Sequence, residues 1–303
     1  MSQEIILHHY WSSPFSEKVR LMLGLKGLGW RSVIQPVIMP KPDLVPLTGG
    51  YRRIPVMQIG ADIFCDSAAI LAEIERRHPK PKVIGGADWA VNAFADRQLF
   101  QPAVTVIFAG IGDAIDPAFA KDREALSGRP FDATAMKAAA PAAMAQYRAA
   151  LGFIENALED GRPFVGGAAA SLSDVALYMD VWFFQKALPQ SFAGAIAGFS
   201  GAKAWAGRMG SIGAGAPTDM SPQEALDIAA AAEPTVSGEV EDNHLGLRRG
   251  DLAMVSADDY GRDPIGGRLL ALDPRRIVIE RQDPSVGRIS VSFPRWGYTL
   301  AAG

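Results

Sequence analysis

The first 80 residues alternate short apolar runs with stripes of apolar residues at helical spacing. Residues 5–7 predict a strand, and the apolar stripe over 15–22 predicts a helix that extends to about residues 27–29. A second strand is predicted at 30–35. Because the two strands flank one helix, we predict a βαβ unit, whose parallel, right-handed crossover is strongly favoured.

An irregular segment follows, in which residues 36–53 carry four prolines and two glycines. A loop of this length without regular structure indicates a functional role. A hairpin and a capped helix come next, with strands at 56–59 and 63–65, an N-cap at Asp66-Ser67 and a stop at His78-Pro79. The order βαβ, loop, ββα is the thioredoxin-like layout, so we predict an α/β domain over residues 1–80.

The strand pattern stops at about residue 83, and long alanine-rich amphipathic segments run to about residue 232. They predict helices at 87–108, 117–126, 134–158, 173–188 and 202–209. Ser171 and Asp174 form a capping box with a folding role, and Pro102 is expected to kink the first of these helices. We therefore predict an all-α domain over residues 84–232.

The pattern returns to short strands in a third segment, residues 238–303. Strands are predicted at 252–256, 268–272, 276–281 and 288–293, broken by Gly, Pro and Asp turns, which favours a small β-barrel or sheet. Nine arginines between residues 248 and 295 face nine acidic residues between 241 and 283. Because these charges cancel, a solvated surface is favoured over an RNA or phosphate site.

Composition adds limits to this picture. At 303 residues the chain is long enough for two or three domains, and a net charge of −3 gives no bulk preference for nucleic acid or anionic membrane. The longest charge-free run has 16 residues and contains Pro, Gln and Ser, and no basic segment followed by an apolar one opens the chain. We expect a cytoplasmic protein without a membrane span.

Cysteine and histidine usage argues against two kinds of site. The lone Cys65 excludes an internal disulfide framework, and its apolar neighbours favour a buried structural thiol. The four histidines show no metal-ligand spacing, so we expect no metal site.

The most informative polar positions lie where the first strand passes into the first helix, at residues 10–20. Pro14 suits the first turn of a helix, so Ser13 lies at or beside the helix N-terminus. Free backbone N–H groups and the helix dipole stabilise an anion there by about 0.3–1 kcal/mol. The alternative is that Ser12 or Ser13 is only an N-cap.

Four motifs then carry a family resemblance: Ser13-Pro14-Phe15 with Lys18-Val19-Arg20, Lys41-Pro42-Asp43, Ile54-Pro55-Val56 and Asp66-Ser67. In their order and intervals, the N-terminal 80 residues resemble the thioredoxin-like domain of the cytosolic glutathione transferases. The first motif is similar to the active-site turn of the omega and zeta classes, and Asp66-Ser67 stands where the family usually has Glu-Ser. The resemblance implies glutathione as co-substrate and an all-α domain after the thioredoxin-like one.

The resemblance also implies a set of glutathione-binding residues: Ser13, Phe15, Lys41, Ile54, Pro55, Asp66 and Ser67. The backbone of Ile54, before an expected cis Pro55, would pair with the cysteinyl part of glutathione. Ser67 and free amides would take the γ-glutamyl carboxylate, Asp66 the ammonium group and Lys41 the glycyl carboxylate. A plain helix cap is the alternative for Asp66-Ser67, and a solvated surface lysine is the alternative for Lys41.

Ser13 is the implied catalytic residue. A thiol with a pKa near 8.5 is only about 3% thiolate at pH 7, and lowering that pKa by two units takes about 2.7 kcal/mol. A hydroxyl donating to sulfur at a helix N-terminus could supply this. Ser12 and Tyr10 remain the competing hydroxyls. Because serine cannot form a mixed disulfide, conjugation, isomerisation or dehalogenation is favoured over disulfide exchange.

Two functions of different class follow. The first is a glutathione transferase of alkyl or aryl groups, with a detoxification role, acting on a small electrophilic or hydrophobic substrate. The second is a non-catalytic scaffold of transferase fold whose C-terminal β segment recruits a partner. The complete set Ser13, Pro55 and Ser67 favours the enzyme. We expect a homodimer, because the family is dimeric and the helices over 87–126 have more apolar surface than one core needs, and we expect residues 238–303 to fold as a separate unit.

Overall fold

The computed structural model describes residues 4–303, apart from the side chain of Asp113. Its strands are β1 Ile6–His9, β2 Gly29–Ile34, β3 Val56–Ile59, β4 Asp62–Cys65, β5 Ala216–Asp219, β6 Leu252–Ala257, β7 Ile265–Leu272, β8 Arg276–Asp283, β9 Gly287–Pro294 and β10 Tyr298–Ala302. Its helices are α1 Pro14–Leu25, α2 Val45–Thr48, α3 Ser67–Arg77, α4 Asp88–Phe94, α5 Phe100–Ile111, α6 Pro117–Ser127, α7 Ala133–Ala157, α8 Leu172–Ala187, α9 Pro189–Ala195, α10 Ser200–Gly210 and α11 Pro222–Ala230.

All ten strands belong to one sheet, in the order β10-β6-β7-β8-β9-β4-β3-β1-β2-β5. Strand β1 is parallel to β2 and antiparallel to β3, which is in turn antiparallel to β4. Helices α1 and α3 pack on these strands through one core that includes Leu7, Val19, Met57 and Ile70. The N-terminal part therefore has the predicted thioredoxin-like fold.

The helical part is built around α8. Residues 172–181 of this helix are all buried, and its capping box is formed as predicted by Ser171 and Asp174. Asp174 also accepts a hydrogen bond from Trp205 Nε1 at 2.8 Å, which ties α8 to α10 inside the core. A π-helical turn, Ala95–Leu99, separates α4 from α5 just before Pro102, the predicted kink position.

The C-terminal segment, residues 238–303, is called the β unit here. Strands β6 to β9 follow one another as antiparallel neighbours, and β10 returns to pair with β6. Strand β9 then runs parallel to β4, with Ile63 opposite Val291, so the β unit extends the thioredoxin-like sheet. Both parts share one apolar core, in which Tyr51 and Val56 belong to the same cluster as Phe293.

Five elements of the described chain depart from the sequence prediction. The expectation that strands stop between residues 83 and 232 is wrong, because β5 pairs in parallel with β2. All four residues of β5 are exposed, so no apolar alternation marks it. Helices α2, α9 and α11 and the last strand, β10, are also additional to the predicted elements. In the described part of the chain, no helix is long and apolar enough to cross a bilayer.

Candidate functional site

A cavity of about 1070 Å³ lies between the thioredoxin-like domain, the first helices of the helical domain and the β unit. Five residues of the predicted glutathione set line it: Phe15, Ile54, Pro55, Asp66 and Ser67. Ser13 and Lys41, the other two members, are not among its lining residues. Five of the seven predicted glutathione-binding residues therefore line one cavity, and Ser13 and Lys41 do not.

The N-terminus of α3 forms one wall of the cavity. Asp66 is its N-cap and accepts from the Ala68 N–H at 2.8 Å, with a positive φ of 80°. Ser67, 4% exposed, is the first residue of the helix. Ser67, Ala68 and Ala69 line the cavity, so the first turn of α3 borders it, and the positive end of the helix dipole would stabilise an anionic group there.

The chain enters β3 through a cis peptide bond between Ile54 and Pro55, as the family resemblance implied. Both residues line the cavity, and Val56 directly after them pairs with Cys65 on β4. The Cys65 thiol itself is fully buried, and burial raises its pKa well above the ordinary value. Cys65 is therefore a structural thiol, since a reactive cysteine needs exposure and a lowered pKa.

Ser13 caps the other helix N-terminus of the site. Its Oγ accepts from the Ser16 N–H at 3.1 Å at the start of α1. The N-cap interpretation is therefore correct for Ser13, but it uses an acceptor lone pair and leaves the hydroxyl proton available to another group. Only 2% of Ser13 is exposed, whereas Ser12 faces solvent.

Tyr10, the other candidate for the catalytic hydroxyl, is partly buried. Burial raises the pKa of its phenol, and the charge of Arg123 opposes that shift. Ser13 and Arg123 are both hydrogen-bonding neighbours of this phenol. The raised pKa keeps this phenol protonated, so protonation alone does not separate Tyr10 from Ser13 as a hydrogen-bond donor. Ser13 differs in position, because it caps the N-terminus of α1.

Lys41 is not the solvated lysine of the alternative interpretation. It is 3% exposed and its Nζ donates to the Val37 carbonyl oxygen at 3.3 Å. Burial lowers the pKa of Lys41 to about 8, and the nearby charge of Asp122 opposes this shift. The side chain is thus held in place close to α6.

The β unit contributes residues that sequence reasoning missed. Tyr298 donates to Asp66 Oδ2 at 3.0 Å, and the Tyr51 hydroxyl lies 3.1 Å from the Tyr298 hydroxyl. Arg53 stacks over the Tyr260 ring at 4.0 Å and forms an ion pair with Asp259. The aromatic residues Trp296 and Tyr298 after β9 were the feature in the sequence that could have indicated a site. Asp66, the residue that Tyr298 contacts, lies more than 200 residues away along the chain.

Metal chemistry has no support in the described part of the chain, where no cluster of three or more His, Cys, Asp or Glu side chains could hold an ion. His8 and His9, the adjacent pair on β1, are both buried. They bond to Gln58 and Ser32 through their Nε2 atoms, at 2.9 and 3.0 Å. These histidines therefore form buried hydrogen bonds to residues of the neighbouring strands β3 and β2.

Comparisons with known sequences extend these observations. A family described as "Glutathione S-transferase, N-terminal domain" matches residues 7–82, and one described as "Domain of unknown function (DUF7962)" matches residues 103–214. Probable glutathione S-transferase BZ2 of Zea mays is 31% identical over 172 residues, covering 54% of this chain and 68% of that protein. Glutathione S-transferase U22 of Arabidopsis thaliana is 25% identical over 184 residues, covering 58% and 72%. The match to glutathione S-transferase U4 of Arabidopsis thaliana spans 33% of that protein's length.

Comparison with solved structures extends the similarity to almost the whole chain. A GST-like protein from Pseudomonas syringae is 33% identical, with a TM-score of 0.77, and the match covers 98% of this chain and 100% of that one. FzlA from C. crescentus, at 23% identity and a TM-score of 0.51, covers 69% and 88% and shares the fold. The omega- or zeta-like subclass stays a prediction. Because a curated relative above 30% identity is covered over two thirds of its length, the chain belongs to the cytosolic glutathione transferase superfamily.

Proposed function

We propose that this protein is a glutathione transferase in which the Ser13 hydroxyl stabilises the glutathione thiolate for attack on a small electrophile. The observation that carries the proposal is the cavity that brings Ile54, Pro55, Asp66 and Ser67 together beside the N-terminus of α1. Membership of the superfamily supports glutathione as co-substrate at the level of the family.

The γ-glutamyl end of glutathione would lie at α3. Its carboxylate would accept from Ser67 and from free N–H groups, and its ammonium group would meet Asp66. Asp66 is one methylene shorter than the glutamate usual in the family. Its hydrogen bond from Tyr298 engages one oxygen, and each carboxylate oxygen can accept more than one bond, so the contact with an ammonium group remains available.

The sulfur would lie between the Ile54 backbone and Ser13. Since the Ser13 oxygen accepts from Ser16 N–H, its own proton can be donated to the thiolate. A hydrogen bond to a charged group contributes roughly 1.5–3 kcal/mol, and the helix N-terminus adds about 0.3–1 kcal/mol. Together these reach the roughly 2.7 kcal/mol needed to lower the thiol pKa by two units. The thiolate then forms a bond to the electrophilic carbon, and the leaving group departs with the electron pair of the bond that breaks.

The second candidate function, a scaffold without catalysis, has one observation in its favour. Ser13 and Lys41 lie outside the cavity lining and are only 2% and 3% exposed. A vestigial pocket would keep the cavity and lose the chemistry.

The test is a calorimetric titration with glutathione, combined with a conjugation assay on an aryl halide. We expect binding by the wild-type protein and conjugation that depends on glutathione. Ser67→Ala should weaken binding, whereas Ser221→Ala, which removes a serine cap from the remote helix α11, should not. Failure of the wild-type protein to bind glutathione at millimolar concentration would contradict the proposal and favour the scaffold.

A further inference from the structure

Helix α6 contacts the segment around Lys41, which lies outside the lining of the cavity. It is an eleven-residue helix without a single buried residue, inserted between α5 and α7. Phe119 of this helix packs against Phe108 and Phe131, which ties one side of α6 to the helical domain. Its further polar contacts are made to the neighbourhood of Lys41 and to the β unit.

Asp122 makes the main contact. Its Oδ1 accepts from the Met39 N–H at 2.9 Å and from Arg52 Nη2 at 2.5 Å. The Asp122 side chain is 8% exposed and that of Arg52 is 14% exposed, so this ion pair is largely shielded from water. A carboxylate held by one guanidinium and one backbone N–H has the arrangement by which proteins bind the carboxylate of a peptide.

The surrounding charge favours a carboxylate from outside as well. Arg123 donates to the Val37 carbonyl oxygen at 2.9 Å, the same oxygen that receives the Lys41 ammonium. Arg123 also pairs with the second oxygen of Asp122, at 2.7 Å. Arg52 and Arg123 therefore both pair with Asp122, and Lys41 lies beside them through the shared Val37 oxygen.

The far end of α6 is fixed to the β unit. The Gly261 N–H donates to the Leu126 carbonyl oxygen at 2.7 Å. Gly261 has a φ of +57°, and a Cβ built there would lie 2.9 Å from Leu126 Cδ1. The β unit and the Asp122 contact thus hold the two halves of the same helix.

We propose that Arg52, Lys41 and the Met39 N–H form a carboxylate site that Asp122 occupies in the free protein and the glycyl carboxylate of glutathione occupies in the complex. Asp122 is then an internal competitor, and glutathione binding displaces its carboxylate from Arg52 and from the Met39 N–H. This inference rests on the proposed function, because it concerns the same ligand, and it adds Arg52 and Asp122 to the residues that set its affinity.

The test compares the binding of two ligands by calorimetry, S-methylglutathione and its analogue with the glycyl carboxylate converted to an amide. Asp122→Asn should bind S-methylglutathione about three- to tenfold more tightly than the wild-type protein, because the competent state is more populated. The amide analogue should gain much less, because it lacks the charge that competes with Asp122. The matched control is Glu124→Gln, which removes one charge from the same helix at a residue that bonds to Phe131 N–H.

The outcomes separate the claims. Unchanged or weaker binding of S-methylglutathione by Asp122→Asn would overturn the inference while the wild-type affinity leaves the proposed function standing. An equal gain in affinity for both ligands would show that Asp122 does not compete with the glycyl carboxylate, and it would overturn the carboxylate site. Absence of binding to wild type and variant alike would contradict the proposed function itself, and this inference with it.

Discussion

The Tyr298 hydroxyl donates to Asp66 Oδ2 over 3.0 Å and so joins the last strand of the β unit to the N-cap of α3. Both partners of this hydrogen bond lie on the wall of the cavity, and Tyr298 is 6% exposed. Asp66 is also the residue proposed to meet the ammonium group of glutathione. The β unit therefore orients a group that belongs to another part of the chain.

Tyr298→Phe should weaken glutathione binding. The ring stays, but Asp66 loses the donor that fixes its second oxygen, and a hydrogen bond to a charged group contributes roughly 1.5–3 kcal/mol. We expect an increase of about tenfold in the glutathione KM with a smaller change in kcat, because Asp66 lies at the end of glutathione away from sulfur. The control is Tyr260→Phe, because Tyr260 contacts Arg53 through its ring. An equal increase in the glutathione KM for both variants would show that the hydrogen bond from Tyr298 to Asp66 does not set glutathione affinity.

The link between the β unit and the sheet also bears on folding. Truncation after Ala232 would remove the partner of β4 and uncover the core cluster that Tyr51 and Val56 share with Phe293. An unpaired, apolar sheet edge promotes aggregation. We therefore expect the truncated chain to be insoluble, contrary to the separate folding unit expected from sequence. A soluble, monodisperse chain of residues 1–232 with cooperative unfolding would restore that expectation.

The oligomeric state is open to direct measurement. We expect a homodimer, because two large apolar side chains of the helical domain are exposed, Trp89 by 40% and Phe153 by 63%. Light scattering coupled to gel filtration should give a mass of about twice the 32.3 kDa of one chain. The single-chain mass at micromolar concentration would contradict the prediction.

Stability should fall in mild acid because of His8 and His9. Burial lowers the pKa of His8 to about 4 and that of His9, which also faces Arg20, to about 3. Below pH 6.5 the unfolded chain binds two protons that the folded chain does not, so the free energy of unfolding decreases as pH falls toward 4. At pH 5 each histidine should account for about 2 kcal/mol of lost stability.

The measurement is urea unfolding at pH 7 and pH 5. His8→Gln should lose about half of the histidine contribution to this difference, and the exposed His244, replaced by Gln, should leave it unchanged. A wild-type stability that does not change between the two pH values would contradict the buried, neutral state of the histidines.

The sequence predicted the elements that have a strong apolar period. The βαβ unit, the hairpin and the helices around Ser171 and Asp174 were predicted because each carries local spacing and caps. Strand β5 was missed because its four residues are exposed and lack alternation. Pairing of β4 with β9 joins residues more than 220 positions apart, and no local pattern encodes such a register.

The residues of the candidate site also fall into two groups, those that local sequence predicted and those that only the fold reveals. Motifs within a few residues of a helix N-terminus predicted Ser13, Asp66 and Ser67, since capping chemistry is local. The contacts of Tyr298 with Asp66 and of Asp122 with Arg52 arise from packing between distant elements. They could be found only once those elements were placed side by side.

The central claim is that Ser13 donates to the thiolate and does not hold the peptide part of glutathione. Ser13→Ala should therefore raise the pKa of the bound thiol by one to two units, which corresponds to about 1.4–2.7 kcal/mol. Turnover at pH 7 should fall about three- to twenty-five-fold, as the thiolate fraction does when the thiol pKa rises from about 6.5 to about 7.5–8.5, with little loss of binding. Ser67→Ala should do the reverse, because its contact is the same in the ground and transition states.

Loss of the cap at Ser13 has a cost of its own, about 1 kcal/mol of stability. Ser221→Ala controls for it, because Ser221 caps α11 through the same hydroxyl contact, with Glu224 N–H at 3.2 Å. This variant should lose similar stability and leave the bound thiol unchanged.

The most direct measurement is the ultraviolet absorbance of the thiolate of bound glutathione as a function of pH, in the wild-type protein and in Ser13→Ala. We expect a midpoint near pH 6.5 for the wild type, about two units below the roughly 8.5 of a free thiol, and a midpoint one to two units higher for the variant. A wild-type midpoint near 8.5, or the same midpoint in both proteins, would contradict this role of Ser13.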